Sequence, residues 1–262
     1  MSRAVRPRAP LPLLVPAAIG IAFLVLPLAA LVWQAPWGDI INQLRDPLVR
    51  KALILSLVTS TIATALVLVV GVPLGWILAE STSLGGRILR ALVILPLVLP
   101  PVVGGVALLL AFGRRGLLGG PLYDWFGWTI PFTPTAVVMA EAFVALPFMV
   151  LTVEGALRTR DRRREEIAST LGASPWRVAR TVTIPLVAPA IVAGSVLAWA
   201  RALGEFGATI TFAGNFAGRT QTVPLAVYQA LESDRDAAIT MSLLLVVLSI
   251  IVLLLMRDRW RV

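Results

Sequence analysis

Few residues of this 262-residue chain can do chemistry, because 58% are hydrophobic and only 14% are charged. Histidine and cysteine are both absent. That removes imidazole acid–base catalysis, thiol chemistry, disulfides and the usual zinc sites, so no catalytic and no metal residues are assigned. No phosphate-cradling glycine loop occurs either, so any ATP that drives this protein is hydrolysed by another chain. What remains is a polar interval at 158–185, centred on EEIASTLGASPWRVARTVTIP from Glu165 to Pro185. Residues 160–171 are rich in helix formers, and Gly172 suits the left-handed position that ends a helix. Ser174 stands where an N-cap belongs, and Pro175 falls at the first helical position, where its missing N–H costs nothing. Residues 176–183 should form a second short helix, and Pro185 should restart the chain. The spacing predicts two short helices joined at Gly172 and held at a membrane surface. A bulky residue at Gly172 should obstruct that turn. The competing reading is an amphipathic basic hairpin lying on lipid headgroups, which has no need of the Gly-x-Ser-Pro break.

Four further groups lie inside apolar runs. Ser56, Ser60 and Thr64 recur every four residues and so share a helix face, where hydroxyls either bond a neighbouring helix or line a wet path. Pro96, Pro100 and Pro101 interrupt LPLVLPPVVGG. Proline frees the carbonyl four residues back, and such a carbonyl is tolerated in hydrocarbon only against protein or a water-filled cavity. The helix there should be bent or partly unwound. Glu141 is a costly intramembrane carboxylate, read as a hydrogen-bonded packing group. Arg201 and Glu205 stand four apart, either as an ion pair or with Arg201 free to fork an oxyanion. Pro96, Pro100, Pro101, Ser56, Ser60, Arg201 and Glu205 are the translocation-path candidates.

The elements that must position these groups follow from composition. Soluble domains carry about a quarter charged residues, so this is an all-α integral membrane protein. One domain, 1–262, has six spanning helices at roughly 11–32, 52–79, 88–112, 133–157, 186–212 and 237–256. Gly71, Pro73 and Gly75 should bend the second. Residues 113–131 and 213–236 read as loops, and Glu154 should pair with Arg158 along the fourth helix. The net charge of +9 is almost entirely arginine, and it sorts by membrane side rather than forming a nucleic-acid face. With both termini cytoplasmic, the inner segments hold fifteen Arg, including Arg3, Arg6, Arg8, Arg257, Arg259 and Arg261, against seven Arg and Lys outside. That asymmetry places 158–185 in the cytoplasm.

The interval resembles the cytoplasmic coupling loop of ABC-transporter importer permeases. Glu166, Ala168, Gly172, Val182, Ile184 and Pro185 match its spacings, with Ile167, Val182 and Ile184 as apolar departures. LPLVLPPVVGG, ALPFMV, ARALGEFGAT and GRTQTVPLAVY are similar to the molybdate/tungstate branch, with the sulfate/thiosulfate branch as the alternative. The resemblance implies a type I importer permease in a prokaryotic cell membrane, working as a homodimer with one path between subunits. Two ATPase copies, which carry ATP and Mg, would dock on Glu165, Glu166, Ala168, Gly172, Ala173, Ser174, Pro175, Trp176 and Pro185. A soluble oxyanion-binding protein would deliver substrate outside. This chain would bind no cofactor itself, only membrane lipid and these partners. An ion-coupled secondary transporter and a non-transporting scaffold are the rival classes; neither accounts for the interval.

Overall fold

A backbone group facing hydrocarbon must be bonded within its own segment, so long apolar runs become helices. The computed structural model describes residues 11–256, and every regular element among them is helical. The six terminal arginines counted above lie outside the described residues.

Helix α1 (Leu11–Trp33) is apolar on every side and lies against α13 (Arg235–Met256). A short α2 (Ile40–Arg45) leads to α3 (Pro47–Glu80). Asp46 caps α3, its Oδ1 accepting Leu48 N–H at 2.6 Å and Val49 N–H at 3.4 Å, and Pro47 is the first helical residue. At 34 residues α3 is about 51 Å long, well beyond a ~30 Å hydrocarbon core. Then come α4 (Leu84–Val98), capped by Ser83, and α5 (Pro101–Phe112). After α6 (Gly119–Phe126), α7 (Pro134–Thr159) starts from a Thr133 cap and a Pro134 first residue. Helices α8 (Arg163–Thr170) and α9 (Pro175–Val178) precede a wide turn, Ala179–Thr183, and α10 (Ile184–Leu203). The chain closes with α11 (Gly207–Phe212), α12 (Val223–Ser233) and α13.

Helices α3 and α7 run parallel. Thr59 meets Glu141, Gly71 faces Met149, and Gly75 faces Val150 and Val153. Helix α10 runs the other way: Gly194 faces Met149 and Thr152, while Trp199 reaches Thr61. Parallel α3 and α7 require the intervening chain to cross back. Helices α4 and α5, bent by 118° at their junction, therefore serve together as one crossing, which with the five long apolar helices brings the candidate spans among the described residues to six.

Three expectations need correcting. The span expected at 186–212 is broken at 204–206, where the Glu205 carboxylate accepts Ala208 N–H at 2.8 Å at the start of α11, a separate helix. The loops expected at 113–131 and 213–236 contain α6 and α12. The third concerns the polar interval. Helix α3 runs without a break through Gly71, Pro73 and Gly75, whose glycines give close approach to α7.

Candidate functional site

The polar interval forms an arm at the end of the bundle where α3 and α7 finish. Helix α8 ends with the two hydrogen bonds of a Schellman turn: Gly172 N–H donates to Ser169 O at 3.0 Å and Ala173 N–H to Ala168 O at 3.1 Å. Gly172 has the expected left-handed φ of +83°. A Cβ there would meet nothing within 4 Å, so adding one strains the left-handed backbone without a clash at that atom. Ser174 Oγ accepts Arg177 N–H at 3.4 Å, and Pro175 is the first residue of α9.

The second short helix expected at 176–183 is not separate. Helix α9 is one turn that passes through 179–183 into α10, and Pro185 lies inside that continuous helix. Ile184 N–H reaches back five residues to Ala179 O, a π-type bond. A proline ring clashes with the carbonyl four residues earlier, and the wide turn accommodates Pro185 without stopping the helix.

The adjacent carboxylates diverge. Glu166 is exposed, as are Ile167, Leu171 and Trp176. Glu165 turns inward and accepts Arg160 Nε at 2.7 Å and Thr183 Oγ1 at 2.6 Å. Burial pushes the Glu165 carboxyl up, but these hydrogen bonds, with Arg160 the stronger, hold it below the usual carboxylate range. Burial works against the Arg160 cation too, and its bonds to Glu165 and Glu80 more than offset that. Arg160 Nη2 also donates to Glu80 at 2.7 Å and Nη1 to Leu157 O at 2.5 Å. Arg160, Glu80 and Thr183 escaped the sequence reading: Glu80 and Arg160 are eighty residues apart, and no local pattern links them. Nearby, Arg90 and Arg158 both bond Glu154, at 2.7 and 2.9 Å, so the predicted Glu154–Arg158 pair forms. Both arginines also donate to Leu78 O at the end of α3, where cations suit the free carbonyls.

A second polar region lies towards the opposite end. Ser56 and Ser60 are fully buried; Ser56 Oγ accepts Val223 N–H at 2.8 Å at the start of α12. Thr59 Oγ1 donates to Glu141 Oε1 at 2.9 Å between α3 and α7, and the other Glu141 oxygen is buried without a hydrogen-bond partner among the described residues. Arg201 Nη1 pairs with Glu205 Oε2 at 2.6 Å. Pro96 sits within α4, just before the 118° bend, and Pro100 and Pro101 form that bend on the exposed side. Two helix breaks meet there: a Cβ on Gly207 would stand 2.8 Å from Pro101 Cβ, and one on Gly105 2.8 Å from Ala208 O. The path candidates thus divide. Pro100 and Pro101 join the Arg201–Glu205 segment at the facing breaks, whereas Ser56 and Ser60 sit in bundle packing. Irregular backbone at membrane depth is a feature of transport sites.

The family described as "binding-protein-dependent transport system inner membrane component" matches residues 71–259. The molybdenum transport system permease protein ModB of Mycobacterium bovis is 48% identical over 239 residues, covering 91% of this chain and 90% of that protein. Its Escherichia coli counterpart is 42% identical over 210 residues, covering 80% and 92%. A probable sulfate transport system permease protein of Marchantia polymorpha is 32% identical over 233 residues, covering 87% and 81%. Among solved structures, a bacterial ABC transporter that imports the acidic polysaccharide alginate has a chain with TM-score 0.71 and 19% identity, covering 95% of this chain and 94% of that one. The inward-facing MetNI methionine ABC transporter gives TM-score 0.61, 19% identity and coverage of 79% and 92%. The fold is that of ABC importer permeases.

Proposed function

We propose a function from one premise: this chain belongs to the binding-protein-dependent transport system inner membrane components. It is the membrane-spanning subunit of an ATP-driven importer of tetrahedral oxyanions, with molybdate as the substrate. The observation that carries this is the 48% identity to a molybdenum permease across 91% of the chain, against 32% for a sulfate permease.

The geometry supplies a mechanism. The arm presents Glu166, Leu171 and Trp176 outward for a separate ATPase subunit, and its wide turn runs without interruption into α10. Two copies of the chain enclose one path, and the breaks near Pro100 and Glu205 lie where the spans lack a continuous helical backbone. ATP binding closes a pair of ATPase subunits, moves the two arms and opens the path outward; hydrolysis resets it. The nucleotide biases two states, and substrate delivered by an extracytoplasmic binding protein uses whichever is open. The arm and both termini lie in the cytoplasm on the arginine asymmetry.

The test is uptake of labelled molybdate and sulfate by the reconstituted complex of this chain, its ATPase and its binding protein. ATP-dependent uptake of molybdate in preference to sulfate is expected. Preference for sulfate overturns the substrate, and uptake without the ATPase overturns the class.

A further inference from the structure

We infer that Arg160 is the positioning residue through which motion of the arm reaches α3 and α10 together, a reading that rests on the arm docking an ATPase. Four segments meet around one guanidinium, three of them bonded to it directly. Glu80 is the last residue of α3, Leu157 lies in the last turn of α7, Glu165 is in α8, and Thr183 ends the wide turn before α10. Arg160 bonds the first three directly, and Glu165 carries the link to Thr183. The Arg160 side chain is 5% exposed and that of Glu165 16%.

Geometry explains the choice of residue. A guanidinium offers N–H donors in a rigid plane and can hold two carboxylates and a carbonyl in fixed directions. The neighbouring Arg162–Glu80 pair, at 2.8 Å with Arg162 56% exposed, is a solvent-screened pair of the kind that contributes little. Apart from the Arg160 cluster and that exposed Arg162–Glu80 pair, the arm joins the bundle through a short link at 160–162 and a wide turn whose hydrogen bonding departs from the regular helix. An arm held only by those two connections would pivot; held by Arg160, it tilts the ends of α3, α7 and α10 as one body. This also assigns different work to the adjacent carboxylates: Glu165 locks the arm from inside, and Glu166 stays free for a partner.

The experiment compares wild type, Arg160→Gln, Arg160→Lys and the double variant Arg160→Gln with Glu165→Gln in the reconstituted complex. ATPase co-purification, ATP turnover and molybdate moved per ATP are measured. A second readout needs no substrate: the distance between spin labels at Leu84 and Leu171. Arg160→Gln should keep the ATPase bound, lower molybdate per ATP at least tenfold and broaden the label distribution. Arg160→Lys keeps the charge without the fork, so it too should keep the ATPase bound and still lose coupling. Adding Glu165→Gln to Arg160→Gln should do no further harm. Full coupling in Arg160→Gln or Arg160→Lys, or an unbroadened distribution, overturns the inference. A wild-type complex that fails to move molybdate strikes at the substrate instead, and the label distances still decide the role of Arg160.

Discussion

Replacing Gly172 separates backbone strain from steric obstruction. The residue adopts φ +83°, and its own N–H and that of Ala173 close the two Schellman hydrogen bonds, so the arm's shape depends on a left-handed residue at this point. An L-residue with a Cβ pays about 1–2 kcal/mol there. Nothing lies within 4 Å of that Cβ, so no steric penalty is added in the isolated chain. Gly172→Ala and Gly172→Trp should therefore loosen the turn equally, by about 5–30-fold in its ordered population. Asparagine tolerates the left-handed region, so Gly172→Asn should recover most of the loss. Hydrogen exchange at the Gly172 and Ala173 amides in nanodiscs reads the turn, and ATPase binding to the same nanodiscs reads the consequence. Ala and Trp should match in exchange, with Trp binding the ATPase more weakly because its bulk stands on the docking surface. If Ala exchanges like wild type, or Trp alone loosens the turn, the strain argument is refuted.

Gly105→Ala would place a Cβ 2.7 Å from Thr211 Cβ and 2.8 Å from Ala208 O, and forcing α5 from α11 should cost about 1–3 kcal/mol in thermal unfolding in detergent. Gly155, helical with open space around it, should instead gain about 0.5–1 kcal/mol as Ala. Arg201→Gln leaves the 1%-exposed Glu205 side chain without its cation, a loss of about 3–5 kcal/mol that Arg201→Gln with Glu205→Gln should largely recover. An unchanged melting temperature with lowered uptake would place Arg201 on the substrate instead. For Glu165 the depressed folded value means its contribution is fully present above the ordinary 4.5 and lost as pH falls through the lower folded value. Exchange protection of α8 should hold from neutral pH down to that range and fall only in stronger acid, and Glu165→Gln should remove the acid limb.

What was legible in the sequence was what is locally encoded. Gly172, Ser174 and Pro175 announce their turn because each has a backbone preference that acts within a few residues. The prolines at 96, 100 and 101 announced a bend, but not its 118° size or the close approach of α11 to α5 at Gly105 and Gly207. Arg201 and Glu205 were legible as a pair but misleading as a helix: spacing four suits an unbroken turn, and nothing local shows that Glu205 also caps the next helix. Pro185 misled for a related reason. A proline after a polar stretch reads as a restart, whereas a π-type turn lets the helix pass through it. The Arg160 cluster was illegible because its members come together only when α3 and α7 lie side by side and parallel.

That parallel pairing has its own cause in small residues. Lipid offers helices no hydrophobic drive to associate, so close van der Waals approach must supply it. Gly71 and Gly75 on α3 and Gly194 on α10 converge on the Met149–Val153 stretch of α7; a Cβ on Gly75 would come within 3.0 Å of Val150 O, and one on Gly194 within 3.2 Å of Met149 Sδ. Helix α7 is thereby enclosed by two helices at short range, with Met149, Val150 and Val153 fully buried. The continuous α3, α7 and α10 form one block, and Arg160 grips its ends. The discontinuities, at 99–100 and 204–206, fall in the layer made by α4, α5 and α11. On the proposed function, a force applied at the arm would meet a stiff block first, and the conformational change would be absorbed where the helices are already broken.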